Sequence, residues 1–289
     1  MSEVADAAVR PRRRWIWILV ALVTSAVLVI PVALRVGLKA DLRHEHVRFR
    51  DYSASQVTAI EVSAPGASVT VRRDAARRVT LASSESWLLT RPFVRRVRHG
   101  RTLTVSVGCP QLNPFEDCGV GLTISVPAST QVRADVGSGS LSVSGLSGPL
   151  AVSATTGSIT LTDDSGPARV QATAGSISAF GLTSPRLSAA VGAGSLVLRF
   201  ASAPQSLGLA VGSGSGNVAL PPGTSYRVTS RGTGVLRIAT GLAAPGSGRL
   251  LTARVGTGMM TLSYRAGTTP PLPPPSRSPA SPGGAPGSG

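Results

Sequence analysis

Two cysteines, three histidines and 13 acids are the residues of this 289-residue chain with the means for covalent, metal or acid–base chemistry. Cys109 and Cys118 stand in GCPQLNPFEDCGVG, separated by the turn formers Pro110, Asn113, Pro114 and Asp117. That setting brings the two thiols back toward each other, and a disulfide between them would stabilise the fold by about 2.5–3 kcal/mol. A zinc site would need two further ligands, and His44, His46 and His99 are distant in sequence. A redox pair would be spaced Cys-x-x-Cys. The expectation is a structural Cys109–Cys118 disulfide, formed in an oxidising compartment, with no metal and no cofactor.

Acid–base chemistry has little to work with in the second half. Beyond residue 134 the acids are Asp135, Asp163 and Asp164, and no histidine follows His99. Glycosidic cleavage wants two carboxylates at a fixed separation, but Asp163 and Asp164 fall in a turn-like DDSGP. A Ser-His-Asp arrangement cannot be assembled there. The recurrent Gly-Ser-Gly elements lack the Lys-Ser/Thr pair of a phosphate loop. These absences predict a protein that is not an enzyme.

Charge is the stronger signal. The formal net charge is +16, and residues 41–289 hold 23 Arg against 11 acids, a net +12. Such a chain attracts polyanions. The densest run is TRPFVRRVRHGR, where Arg91, Arg95, Arg96, Arg98 and Arg101 form a candidate patch for anionic lipid headgroups or cell-wall polymer. The competing reading is the solvated faces of two strands and a turn.

The elements that would carry these residues begin with an uncharged run from Trp15 to Leu34, long enough at 1.5 Å per residue to cross about 30 Å of hydrocarbon. Trp15 and Trp17 suit an interface, and Arg10, Arg12, Arg13 and Arg14 favour a cytoplasmic N-terminus. A cleaved signal peptide competes with this reading, but its apolar region is usually shorter. The predicted organisation is a cytoplasmic segment at 1–14, a transmembrane anchor at 15–37 and a juxtamembrane linker at 38–54. An extracytoplasmic β-repeat domain follows at 55–266, then a Pro/Gly/Ser-rich disordered tail at 267–289. The expected location is the cell membrane, single-pass, with the β domain outside and no nucleic acid as partner.

Within that domain one theme returns: VGSGSLSVSG at 136–145, TTGSITLTD at 155–163, TAGSISAFG at 173–181 and VGAGSLVLRF at 191–200. Gly139, Gly157, Gly175 and Gly194 are 18, 18 and 19 residues apart. After each glycine apolar and small polar residues alternate, as at Leu141 and Val143 or Ile159 and Leu161. Period two is the strand signal. Each unit supplies two short strands and cannot cover its apolar edge alone, so stacking is the solution. The predicted fold class is all-β, a β-solenoid repeat domain preceded by one N-terminal transmembrane helix. A β-sandwich of short hairpins is the alternative.

The order of early strands, Cys109…Cys118, the ISVP element at 124–127 and then Gly-Ser-Ile/Leu repeats resembles the bacterial "putative adhesin" β-strand-repeat domains of unknown function. The resemblance covers about residues 55–265 and implies an extracytoplasmic repetitive β fold without transferable catalytic residues. The expected function is a non-catalytic, membrane-anchored, adhesin-like structural or binding module at the cell envelope. The alternative is a regulatory or sensor subunit working with a separate membrane protein partner.

Overall fold

A computed structural model describes residues 18–27, 29, 44–53, 56–75, 78–87, 91–109 and 118–265. The expected cytoplasmic segment 1–14 and the tail 267–289 lie outside the described residues.

The strands, in chain order, open with β1 (His44–Ser53), β2 (Ala59–Ala64), β3 (Ser68–Arg73), β4 (Arg78–Trp87), β5 (Phe93–His99) and β6 (Thr102–Gly108). There follow β7 (Cys118–Val126), β8 (Gln131–Val136), β9 (Ser140–Ser144), β10 (Leu150–Ala154) and β11 (Ser158–Thr162). Three long strands come next: β12 (Ala168–Leu182), β13 (Arg186–Phe200) and β14 (Ser206–Leu220). The last four are β15 (Arg227–Arg231), β16 (Val235–Ile238), β17 (Leu250–Val255) and β18 (Met259–Tyr264).

All belong to one sheet, in which two parallel ladders can be followed. One runs β6–β2–β8–β10–β12–β13–β14–β17–β15. The other runs β7–β3–β9–β11–β12–β13–β14–β18–β16. The long strands serve both ladders because each turns a corner at its glycine. In β12 the buried residues are Ala168, Val170 and Ala172 before the corner but Ile177 and Ala179, then Leu182 past a bulge, after it. The alternation therefore slips by one residue across Gly175, and both halves aim apolar side chains into one interior. That interior is a continuous cluster of Val, Leu, Ile and Ala, with Leu141, Ile159, Ile177, Leu196, Val218 and Leu262 all essentially inaccessible.

The corner requires glycine for a steric reason. A Cβ on Gly157 would sit 2.0 Å from the carbonyl oxygen of Gly139, and one on Gly194 would sit 1.9 Å from that of Gly175. Gly175, Gly194 and Gly214 also hold φ of +150°, +136° and +124°, where side-chain-bearing residues are strained. Only a stack without side chains lets successive corners approach this closely.

The expected fold class is corrected in two respects. The rungs do not stack in chain order: β2 and β3 slot between the later β6–β7 and β8–β9, and β17–β18 slot between β14 and the earlier β15–β16. The N-terminal strands also add antiparallel pairs, β5 on β6, β4 on β7 and β1 on β4. They cover one end of both ladders, where open edges would otherwise offer unpaired backbone groups. The chain thus forms a mixed, interlocked sheet in place of a simple β-solenoid. β1 lies in the stretch expected as a linker.

The transmembrane helix is corrected as well. No helix among the described residues is long and apolar enough to cross a membrane. The helical stretch described without a break, 18–27, would reach about 15 Å, half the hydrocarbon thickness. A single-pass anchor, and the location inferred from it, are not supported.

Candidate binding surfaces

The same strands present two outward faces, and their side chains differ in kind. On the first ladder the outward positions carry Arg95, Arg133, Arg169, Arg186, Arg227, Arg231 and Arg254, all exposed. Register places Arg254 directly beside Arg231 and seats Arg186 level with Ser206. We refer to this as the arginine face. Its described strands carry two outward acids, Glu61 and Asp135, both toward the N-terminal end. Glu61 pairs with Arg133 at 3.5 Å, and Asp135 accepts a hydrogen bond from the Ser153 hydroxyl. Toward β17 and β15 no acid stands near, because the chain contains none after Asp164 while ten arginines follow it.

On the second ladder the outward positions are mostly hydroxyls and small groups, giving way to Met259 and Val235 on β18 and β16. Ser140, Ser158, Ser176, Ser195 and Ser215 stack in register beside Ser68, and Thr160, Ser178, Val197 and Asn217 form the next row. Arginine appears there as Arg72, Arg199 and Arg237. Arg72 donates from Nε to the Ser125 hydroxyl at 3.0 Å, and Arg199 covers the Phe180 ring at 5.4 Å. This hydroxyl face has no concentrated charge.

The arginine run read from the sequence is divided by the strand that holds it. Period two along β5 sends Phe93 and Arg95 outward and turns Val94 and Arg96 toward the interior. Arg96 donates to Ser83 at 3.2 Å, and its Nε is buried without a partner. Arg91 meets the buried Glu85 at 3.5 Å and lies over the Trp87 ring at 5.1 Å. Here β4 exchanges the apolar inward residues Val79 and Leu81 for Ser83 and Glu85, which close the end of the core with charge. Arg98 reaches Gln56 at 3.2 Å near the hairpin tip, and Arg101 sits in the turn, its carbonyl accepting from Thr58 at 2.9 Å. Of the five, Arg95 joins the arginine face, while Arg91 and Arg96 serve the end of the fold. The larger surface was missed because its residues lie far apart in sequence. The available signal was the lack of any acid after Asp164.

Cys109 follows β6, is partly buried against the core and has a bonding partner. Residues 110–117 and the Cys118 side chain lie outside the described residues.

The remaining acids of the repeats have structural duties. Asp163 takes φ +54° in the corner after β11. Asp164 is 2% exposed, and its Oδ1 accepts the Leu146 N–H at 2.8 Å. Burial pushes its carboxyl up to about 6, against the lowering effect of hydrogen bonds from the Leu146 and Thr162 backbone. Its Oδ2 is buried without a partner. No group of three or more His, Cys, Asp or Glu that could hold a metal ion occurs among the described residues.

No family model matches this chain, and no curated protein is similar to it. Solved structures are. A "putative cell adhesion protein" from Clostridium sporogenes is 9% identical, with 77% of this chain and 100% of that one covered and a TM-score of 0.36. "Putative adhesins" from Bacteroides fragilis and Parabacteroides distasonis are 13% and 12% identical, cover 76% and 75% of this chain and 97% of their own, and both have TM-scores of 0.41. The solved structures similar to this chain are named as adhesins or cell adhesion proteins of this "putative" kind.

Proposed function

We propose that the protein is a non-catalytic, adhesin-like binding module whose working surface is the arginine face and whose ligands are anionic polymers or anionic lipid headgroups. The observation that carries this is the direct juxtaposition of Arg231 and Arg254 on a face that also presents Arg186 and Arg227, all on strands without an acid. Like charges directly opposite in a sheet destabilise it. The core does not require them, since the outward neighbours Thr229 and Thr252 on the same two strands are uncharged. A surface that holds arginines together at a cost is suited to charges brought by something else.

Cosedimentation with vesicles, with and without anionic lipid, and retention on an immobilised phosphate polymer test this directly. Wild type is expected to bind anionic matter at least tenfold more tightly than a variant with Arg186, Arg227, Arg231 and Arg254 changed to Ala. Equal binding by the two would sink the reading. The same module is proposed to be braced by a Cys109–Cys118 disulfide. A thiol assay on unreduced, denatured protein should find no reactive cysteine, and two thiols per chain would exclude the bridge.

A further inference from the structure

Resting on that reading, the geometry assigns a narrower site within it. We infer that a trough on the arginine face, floored by β13 and β14 and walled by β12 and β17, seats one extended chain of a linear phosphate polymer.

Past Arg186 at the start of β13, the floor is low because its outward residues are small. Ser188 and Gly208 are Cα partners, as are Ala190 and Ala210. The walls rise on either side, with Arg169 on β12 level with Ser188 and Arg254 on β17 level with Ala210. Four neighbouring strands at about 4.8 Å per step place the wall backbones about 14 Å apart, room for one polymer strand but not for a duplex or a globular partner. A concavity of about 350 Å³ opens at the β12 end of this floor, where Arg169, Arg186, Ser188, Ser206 and Gly208 meet the apolar starts of β10 and β12; it does not extend to β17.

The chemistry of that border selects the ligand class. Guanidinium groups on both walls give paired, charge-assisted donors that match phosphate oxygens, and serine hydroxyls add single donors between them. A flat bilayer meets the rims of a trough but not its floor, whereas a flexible single chain can lie in it. The floor and its walls present no aromatic ring, so there is no stacking platform for the bases of a single-stranded nucleic acid. A chain of phosphates without bases uses the guanidinium and hydroxyl donors that the trough offers.

Filling the trough tests this without altering charge. Gly208 has an ordinary φ, and a Cβ there would meet nothing closer than the Ser188 hydroxyl at 3.6 Å, so Gly208→Leu is sterically admissible. The full chain would be titrated calorimetrically with long-chain inorganic polyphosphate, and cosedimented with phosphatidylglycerol vesicles. The expected result is a loss of at least tenfold in polyphosphate affinity for Gly208→Leu with vesicle binding unchanged. An Arg169→Ala/Arg254→Ala double variant should lose both, and Arg199→Ala/Arg237→Ala on the hydroxyl face should lose neither. Wild-type polyphosphate affinity in a folded Gly208→Leu protein overturns the trough while leaving the broader reading intact. Equal loss from the two double variants overturns the broader reading. If Gly208→Leu lowers the Tm, Ala210→Leu in the same floor gives the same decision.

Discussion

The arginine face and the hydroxyl face are made by the same strands over the same core, so their difference separates what the fold needs from what it carries. Both ladders share spacing, register and an interior of Val, Leu and Ile. Each outward residue is free to vary so long as it is soluble and β-compatible. On one side the result is a ladder rich in serine and threonine, interrupted by Val197, Met259 and Val235, which satisfies that condition at no electrostatic cost. On the other, single arginines recur from strand to strand and Arg231 stands directly beside Arg254. The corner between the faces obeys a third rule, because there backbone meets backbone and only glycine fits.

Breaking the corner should have the largest effect. Gly194→Ala places a Cβ 1.9 Å from the Gly175 carbonyl oxygen and imposes a side chain at φ +136°. No rotamer change relieves a contact with backbone. The expected loss is about 3 kcal/mol or more in denaturant unfolding, in line with other strained special-φ positions. Gly208→Ala on the arginine face should change stability by about 0.5 kcal/mol or less. Equal effects from the two would show that the corner yields where the geometry says it cannot.

The next effect lies at another corner, where Asp164 connects the hydroxyl face back to the arginine face. Its carboxyl rises from the ordinary 3.8 to about 6 through burial. The folded chain therefore keeps a proton that the unfolded chain has released. The stabilisation is fully present below about pH 4 and is lost as the pH rises through 6, amounting to about 3 kcal/mol between those limits. Asp164→Asn keeps an oxygen for the Leu146 N–H and should flatten that part of the stability–pH curve. A curve of unchanged slope in the variant would move the titration to another group.

These two corners also show how much of the molecule was legible beforehand. The 18-residue return of the glycine theme reappears as register, with Ser140 beside Ser158 and Ser158 beside Ser176, because equal coil lengths place equivalent residues level. The alternation after each glycine marks Leu141, Val143, Ile159 and Leu161, which are buried. What the sequence did not disclose depends on residues far apart in the chain. Nothing local to β17 says that it inserts between β14 and β15, since edges of similar composition compete for it. The hydropathy of 15–34 suggested a membrane span that the described helix does not provide. The arginine run at 91–101 looked like one patch because a linear string conceals that adjacent strand residues point to opposite sides. Arg96 was already committed to Ser83, and Arg91 to Glu85. The broader basic surface comes from single arginines on separate strands, assembled only when the rungs stack.

The smallest effect is the most specific to the difference between the faces. If Arg231 and Arg254 are held together for a ligand, relieving their repulsion should help the fold and harm the function. Arg254→Thr repeats the residue type already outward at Thr252 and Thr229 on the same two strands. At low salt it should raise stability by about 0.2–0.5 kcal/mol, and added salt should erase the gain because screening removes the repulsion. The same variant should weaken phosphate-polymer binding severalfold and flatten its dependence on salt, since one fewer cation releases one fewer counterion. Arg237→Thr on the hydroxyl face has no arginine partner in register with it, as Arg237 lies beside Thr261. It should therefore move neither quantity. A salt-sensitive gain in stability at 254 without any loss of binding would mean that the arginines are an accident of composition, because repulsion would then be present with nothing gained from it.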